Sequence, residues 1–126
     1  MFRSIASVVT GVVVWGVLWV GINSGLASAM PDSFDANGIT TEPGLLAVFM
    51  AVSMVLSVLA GWLCAAIAPS NPMKHVGVLA AIQLLIGIGV QASVWSLMPL
   101  WYHLIFLAAV VPMHLLGGKI RAGGSG

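Results

Sequence analysis

All three histidines and both glutamines of the chain fall between residues 75 and 114: His75, Gln83, Gln91, His103 and His114. Imidazoles ligate metals and haem or carry protons, and carboxamides hydrogen-bond neutral polar groups. Each of these side chains lies in or beside a strongly apolar run, where a polar group without a partner is costly. Any chemistry this protein performs is therefore expected in residues 75–121.

Several kinds of chemistry are weighed against that set. Axial haem ligation needs histidines on facing helices at similar depth. His75 and His114 lie near the same end and meet that condition, but His103 has no second histidine at its depth. No cofactor is assigned on this basis. The plainer reading makes His75 an interfacial residue, with His103 and His114 satisfied by Gln91, backbone or water. Proton-coupled export calls for a carboxylate at mid-depth, and the apolar runs hold none. No nucleophile–base pair and no metal-ligand spacing appears, so no catalytic and no metal-binding residue is assigned and no enzyme is expected. Asp32, Asp35 and Glu42 share a loop without a calcium-loop motif and read as solvated charges. Met50 and Met54 read as core filler, and Cys64 as a small buried residue. Gln83, Gln91, His103 and His114 remain as candidate polar intramembrane residues.

The elements that must position them follow from composition. The chain has 126 residues, 60% hydrophobic and 6% charged, with a mean hydropathy of +1.13. A soluble domain carries about 25% charged residues, so this chain could not cover a soluble surface. Its net charge of +1 leaves no basic patch for nucleic acid. Apolar runs of membrane-spanning length are expected at residues 5–26, 45–68, 76–95 and 100–118. The fold class is an all-α integral membrane protein, a single domain over residues 1–122 built as an antiparallel up-down four-helix bundle. Arg3, the apolar run after it and Ala27-Ser28-Ala29 imitate a cleavable signal peptide. That run is longer than a usual signal core and further spans follow, so it is taken as the first membrane helix. Residues 123–126 read as an added linker.

Small residues mark packing faces in such helices. On the first span these are Ser7 with Gly11, and Gly21 with Gly25. The second pair forms a G-x-x-x-G motif, read as packing within the bundle in preference to a dimer face. Trp15 and Trp19 fill space in the bundle or face lipid. The second span carries the stripe Ser53, Ser57, Gly61 and Cys64. On the third, Ala80, Gln83, Gly87 and Gln91 fall within one ~80° arc. Thr41 before Glu42-Pro43 signals a helix start. Pro69-Ser70-Asn71-Pro72 is a tight turn, as is Asp35-Ala36-Asn37-Gly38. Gly117-Gly118, followed by Lys119 and Arg121, signals the end of the last helix.

Folding the last two spans about Leu97-Met98 sets Gln91 against His103. It also sets Gln83 near Pro112, which frees the carbonyl of Ala108. An interhelical hydrogen bond is expected at each place.

With four spans, Arg3, Lys74, Lys119 and Arg121 fall on one side and all three acids on the other. Both termini are then cytoplasmic, and the setting is a bacterial-type inner (plasma) membrane. The size and span count match small multidrug exporters, but their glutamate in the first span is missing. The glycine- and phenylalanine-containing signature of small fluoride channels is missing too. The function expected is structural: assembly of the protein with itself as a homo-oligomer, or as an accessory subunit of a larger membrane complex, with membrane lipids as further partners. Lys74, His75, His114, Lys119 and Arg121 would contact anionic lipid. The alternatives are a small homo-oligomeric channel or transporter for a neutral or weakly charged solute, lined by Gln, His and Ser, and a haem- or quinone-linked membrane subunit.

Overall fold

In a computed structural model, residues 2–36 and 39–125 are described. Four long helices account for most of them: α1 (Phe2–Ala29), α2 (Pro43–Ile67), α3 (Pro72–Ser93) and α4 (Leu100–Ser125). Short 3-10 turns lie at Pro31–Ser33 and Trp95–Leu97. All four helices are long and apolar enough to cross a membrane, and no strand occurs among the described residues.

Helix starts follow proline chemistry. Each of α2 and α3 opens on a proline, whose missing N–H would have had no partner in the first turn anyway. The cap before α2 is Glu42, one residue after the expected Thr41, and its side chain makes no capping bond. Its backbone N–H instead donates to Thr40 Oγ1 at 3.2 Å. Asn71 closes the α2–α3 turn with φ 44°, a left-handed conformation that asparagine tolerates. Its carbonyl then accepts from the Lys74 N–H at 3.0 Å. The other expected turn reaches Asn37 and Gly38, which lie outside the described residues.

The stop at Gly117-Gly118 is not used. Helix α4 continues through both glycines to Ser125, so these residues have a different task. A Cβ on Gly117 would collide with the Val58 carbonyl, and one on Gly118 with the Val76 side chain. From the other side, a Cβ on Gly61 would collide with the His114 carbonyl. Glycines on both helices thus bring the α2 and α4 backbones together, as small residues do where no water drives helices to associate. Arg121 caps this seam by lying 5.6 Å from the centre of the Trp62 ring.

Half of the apolar window of α2 is buried, against 17% for α1. The core therefore gathers around α2, while α1 touches the rest along one line: Ser7, Gly11 and Trp15. Leu79 of α3 packs where a side chain on residue 11 would stand. Trp15 and Trp19 are both bundle filler: they stack with centroids 5.2 Å apart, and each meets Phe106 of α4.

The serine stripe on α2 hides its polarity. Ser53 donates to the Met50 carbonyl and Ser57 to the Ser53 carbonyl, each at 2.8 Å. Ser57 Oγ also accepts from the Trp15 indole N–H at 3.1 Å. At one end of the bundle, His75 of α3 meets Ser4 of α1. That end carries Arg3, Lys74, Lys119 and Arg121; Asp32, Asp35 and Glu42 belong to the other.

Candidate functional site

The polar side chains of α3 and α4 do not converge on one point. They form three separate arrangements, at the acidic end, in the middle and toward the cationic end.

At the acidic end the expected partnership of Gln91 with His103 is present. His103 is fully buried and its Nδ1 faces Gln91 Oε1. Its Nε2–H donates to the Trp95 carbonyl at 3.0 Å, and the indole of Trp95 stacks on the imidazole at 4.4 Å and 10°. A carbonyl only accepts, so Nε2 must carry the proton. In the neutral ring Nδ1 is then an acceptor and needs the NH2 of Gln91; a protonated ring needs its oxygen instead. The carboxamide satisfies either state by turning over. The turn between α3 and α4 is thereby tied to the first turns of α4 by a side chain with no free hydrogen-bonding group. Beside it, a cavity of 150 Å³ is lined by Asn23, Thr40, Gln91 and Tyr102 among others.

In the middle lies Gln83, 3% exposed. The expected bond to the Ala108 carbonyl is not formed: no hydrogen bond reaches the Gln83 side chain, and its Oε1 is buried without a partner among the described residues. The physical reason is the face on which it lies. Gln83 points with Gly87 into a 260 Å³ cavity walled by Trp15 and Trp19 of α1 and Phe106 and Val110 of α4. Both cavities include Trp19 and Val90 in their walls.

Toward the cationic end, His114 is fully buried. Its Nδ1–H donates to the Val110 carbonyl at 2.7 Å, and Nε2 has no partner among the described residues. His75 turns the other way. Its Nδ1–H donates to the Asn71 carbonyl at 3.1 Å, and its Nε2 accepts from the Ser4 hydroxyl at 2.8 Å. No hydrogen bond or ring contact joins His75 to His114. Among the described residues no group of three or more His, Cys, Asp or Glu could hold a metal ion. A groove of 620 Å³ runs along α1 and α3 here, with Ser4, Ser70, Asn71, Lys74 and His75 at its polar end.

No protein-family model matches this chain, and neither curated proteins nor solved structures include a similar one. The residues themselves must therefore carry any functional argument.

The packing residues divide sharply. Ser7, Gly11, Ser53, Ser57, Gly61 and Gly87 all face other helices of the same chain. Gly21 and Gly25 do not: a Cβ at either position would meet nothing within 4 Å. The expectation that this G-x-x-x-G packs inside the bundle is therefore corrected. Helix α1 meets the bundle through Ser7, Gly11, Trp15 and Trp19, and beyond Trp19 the glycine face turns outward. Sequence reasoning also missed Gly117 and Gly118, whose position before Lys119 imitates a helix stop, and the Trp95 carbonyl that fixes His103. The available signal was residue size alone: Gly61 on α2 and Gly117 on α4 are small residues of the kind that let helices approach, and they meet at one level of the bundle.

Proposed function

We propose that this protein is a four-helix assembly protein of a bacterial-type inner membrane, with both termini cytoplasmic, and that the outward face of α1 carries the association. The observation that carries this reading is the open Gly21-x-x-x-Gly25 face. Gly61 of α2 and Gly117 of α4 already meet a backbone of the chain itself, and this pair meets nothing. A second copy of the chain or one helix of a larger complex can approach there to backbone distance. The complete separation of cations from acids supports the orientation. The poor burial of α1 supports it as the docking helix.

The test is association in lipid nanodiscs or liposomes, read by native mass spectrometry and by energy transfer between labelled protomers. Gly21→Leu with Gly25→Leu is expected to abolish association while leaving the protomer folded. Unchanged association in that double variant refutes the reading.

A second reading, a channel or transporter for a neutral solute, draws support from Gln83 and Gln91 lining neighbouring cavities. Toward the cationic end the α1–α3 seam is shut where Leu79 packs on Gly11, so the protomer alone offers a pocket and not a path. Solute flux into liposomes tests it directly.

A further inference from the structure

We propose that the cavity between α1, α3 and α4 is a binding site for a neutral ring of the phenol or quinol class, held by its hydroxyl on Gln83. Four observations converge on that chemistry. First, Gln83 is 3% exposed and its Oε1 lacks a donor among the described residues. A buried acceptor left unpaired is destabilising, and this one faces an open volume instead of packed apolar atoms. A ligand hydroxyl supplies the missing donor, and the amide NH2 can donate back to the same oxygen.

Second, the walls suit a flat ring. Trp15 and Trp19 stack on one another at 5.2 Å, and Phe106 presents itself to both. The indole N–H of Trp15 is already given to Ser57, so this residue offers the site its ring. Gly87 keeps the α3 side free of a side chain. Third, size limits the occupant. An apolar cavity of ~150 Å³ admits benzene, so 260 Å³ admits one substituted ring and excludes a haem. Fourth, no charged residue lines the cavity, which selects a neutral ligand.

The approach is lateral. Val20 of α1 and Ile86 and Val90 of α3 border the cavity and are 62%, 43% and 49% exposed. They flank an opening on the apolar side of the bundle, through which a membrane-dissolved ring would enter. This site is independent of the outward glycine face of α1.

The experiment uses the full-length protein in nanodiscs and tryptophan fluorescence. Two heavy-atom probes are titrated: para-bromophenol, and a para-bromophenol carrying a long alkyl chain. Each is compared with its methyl ether, which keeps the ring and removes the O–H. Saturable quenching by the alkyl phenol, about tenfold weaker for its ether and for Gln83→Leu, supports a site for a lipid-borne ring. The same discrimination with free para-bromophenol supports the site and assigns it to a dissolved solute. Quenching that rises linearly for all probes, or that saturates equally for phenol and ether, overturns the proposal. The ether comparison is made on the unaltered protein, so a folding defect in Gln83→Leu cannot decide the outcome.

Discussion

The backbone carbonyl of His114 occupies the space that a Cβ on Gly61 would need. Three residues further along α4, Gly117 returns the same relationship against the carbonyl of Val58. Two helices far apart in the chain are thus locked by absences of side chain, one on each partner. Gly61→Ala and Gly117→Ala are each expected to destabilise the bundle by about 2 kcal/mol, the usual consequence of overpacking. Gly77→Ala is the control, since a Cβ there meets nothing within 4 Å; helix propensity favours it. Reversible unfolding in bicelles should separate the two classes. Equal stability across the three variants would remove the glycine seam as a source of cohesion.

The indole N–H of Trp15 on α1 donates to Ser57 Oγ on α2. Interhelical side-chain bonds in lipid average about 0.6 kcal/mol in double-mutant cycles. Trp15→Phe with Ser57→Ala should give a coupling near that value. Trp15→Ala should cost about 3 kcal/mol or more, because the indole is 6% exposed and stacks on Trp19. A cycle with no coupling would mean that the indole is held by packing alone.

Nitrogen chemical shifts of His103 should show a proton on Nε2 when the ring is neutral, because the Trp95 carbonyl can only accept. Gln91→Leu should keep that tautomer and destabilise the α3–α4 turn by about 0.6–1.7 kcal/mol. A neutral ring protonated at Nδ1 would contradict the clamp.

Topology can be read by cysteine labelling. Asp35→Cys should react with a membrane-impermeant maleimide from the outside of intact cells. Lys119→Cys should react only after permeabilisation. Cys64, fully buried, should stay unmodified in both. Labelling of Lys119→Cys from outside would reverse the proposed orientation.

The four helices were legible because apolar length alone dictates them, and their bounds shifted by at most a few residues until Gly118. Gln91 with His103 was legible because a short hairpin fixes which residues share a level near its turn. Gln83 was not. It lies further from the turn, where a small rotation of α3 moves a side chain from the α4 carbonyls to the α1 tryptophans. The glycines divided for a similar reason. Spacing marks a face as smooth but does not say which helix, or whose, lies against it. Gly61 and Gly21 look alike in the chain, yet one is pressed against a carbonyl and the other is open.

The lock between α2 and α4 also orders the life of the protein during its synthesis. Chains emerge from the ribosome N-terminus first, so α2 must wait through the whole of α3 before its closest neighbour exists. In that interval the nascent chain can hold α1 against α2 through Trp15 and Ser57, with Gly61 still facing an unfilled side. A polypeptide arrested before Gly117 would expose that smooth strip of α2, and quality-control machinery that senses unpaired membrane helices would find its handle there.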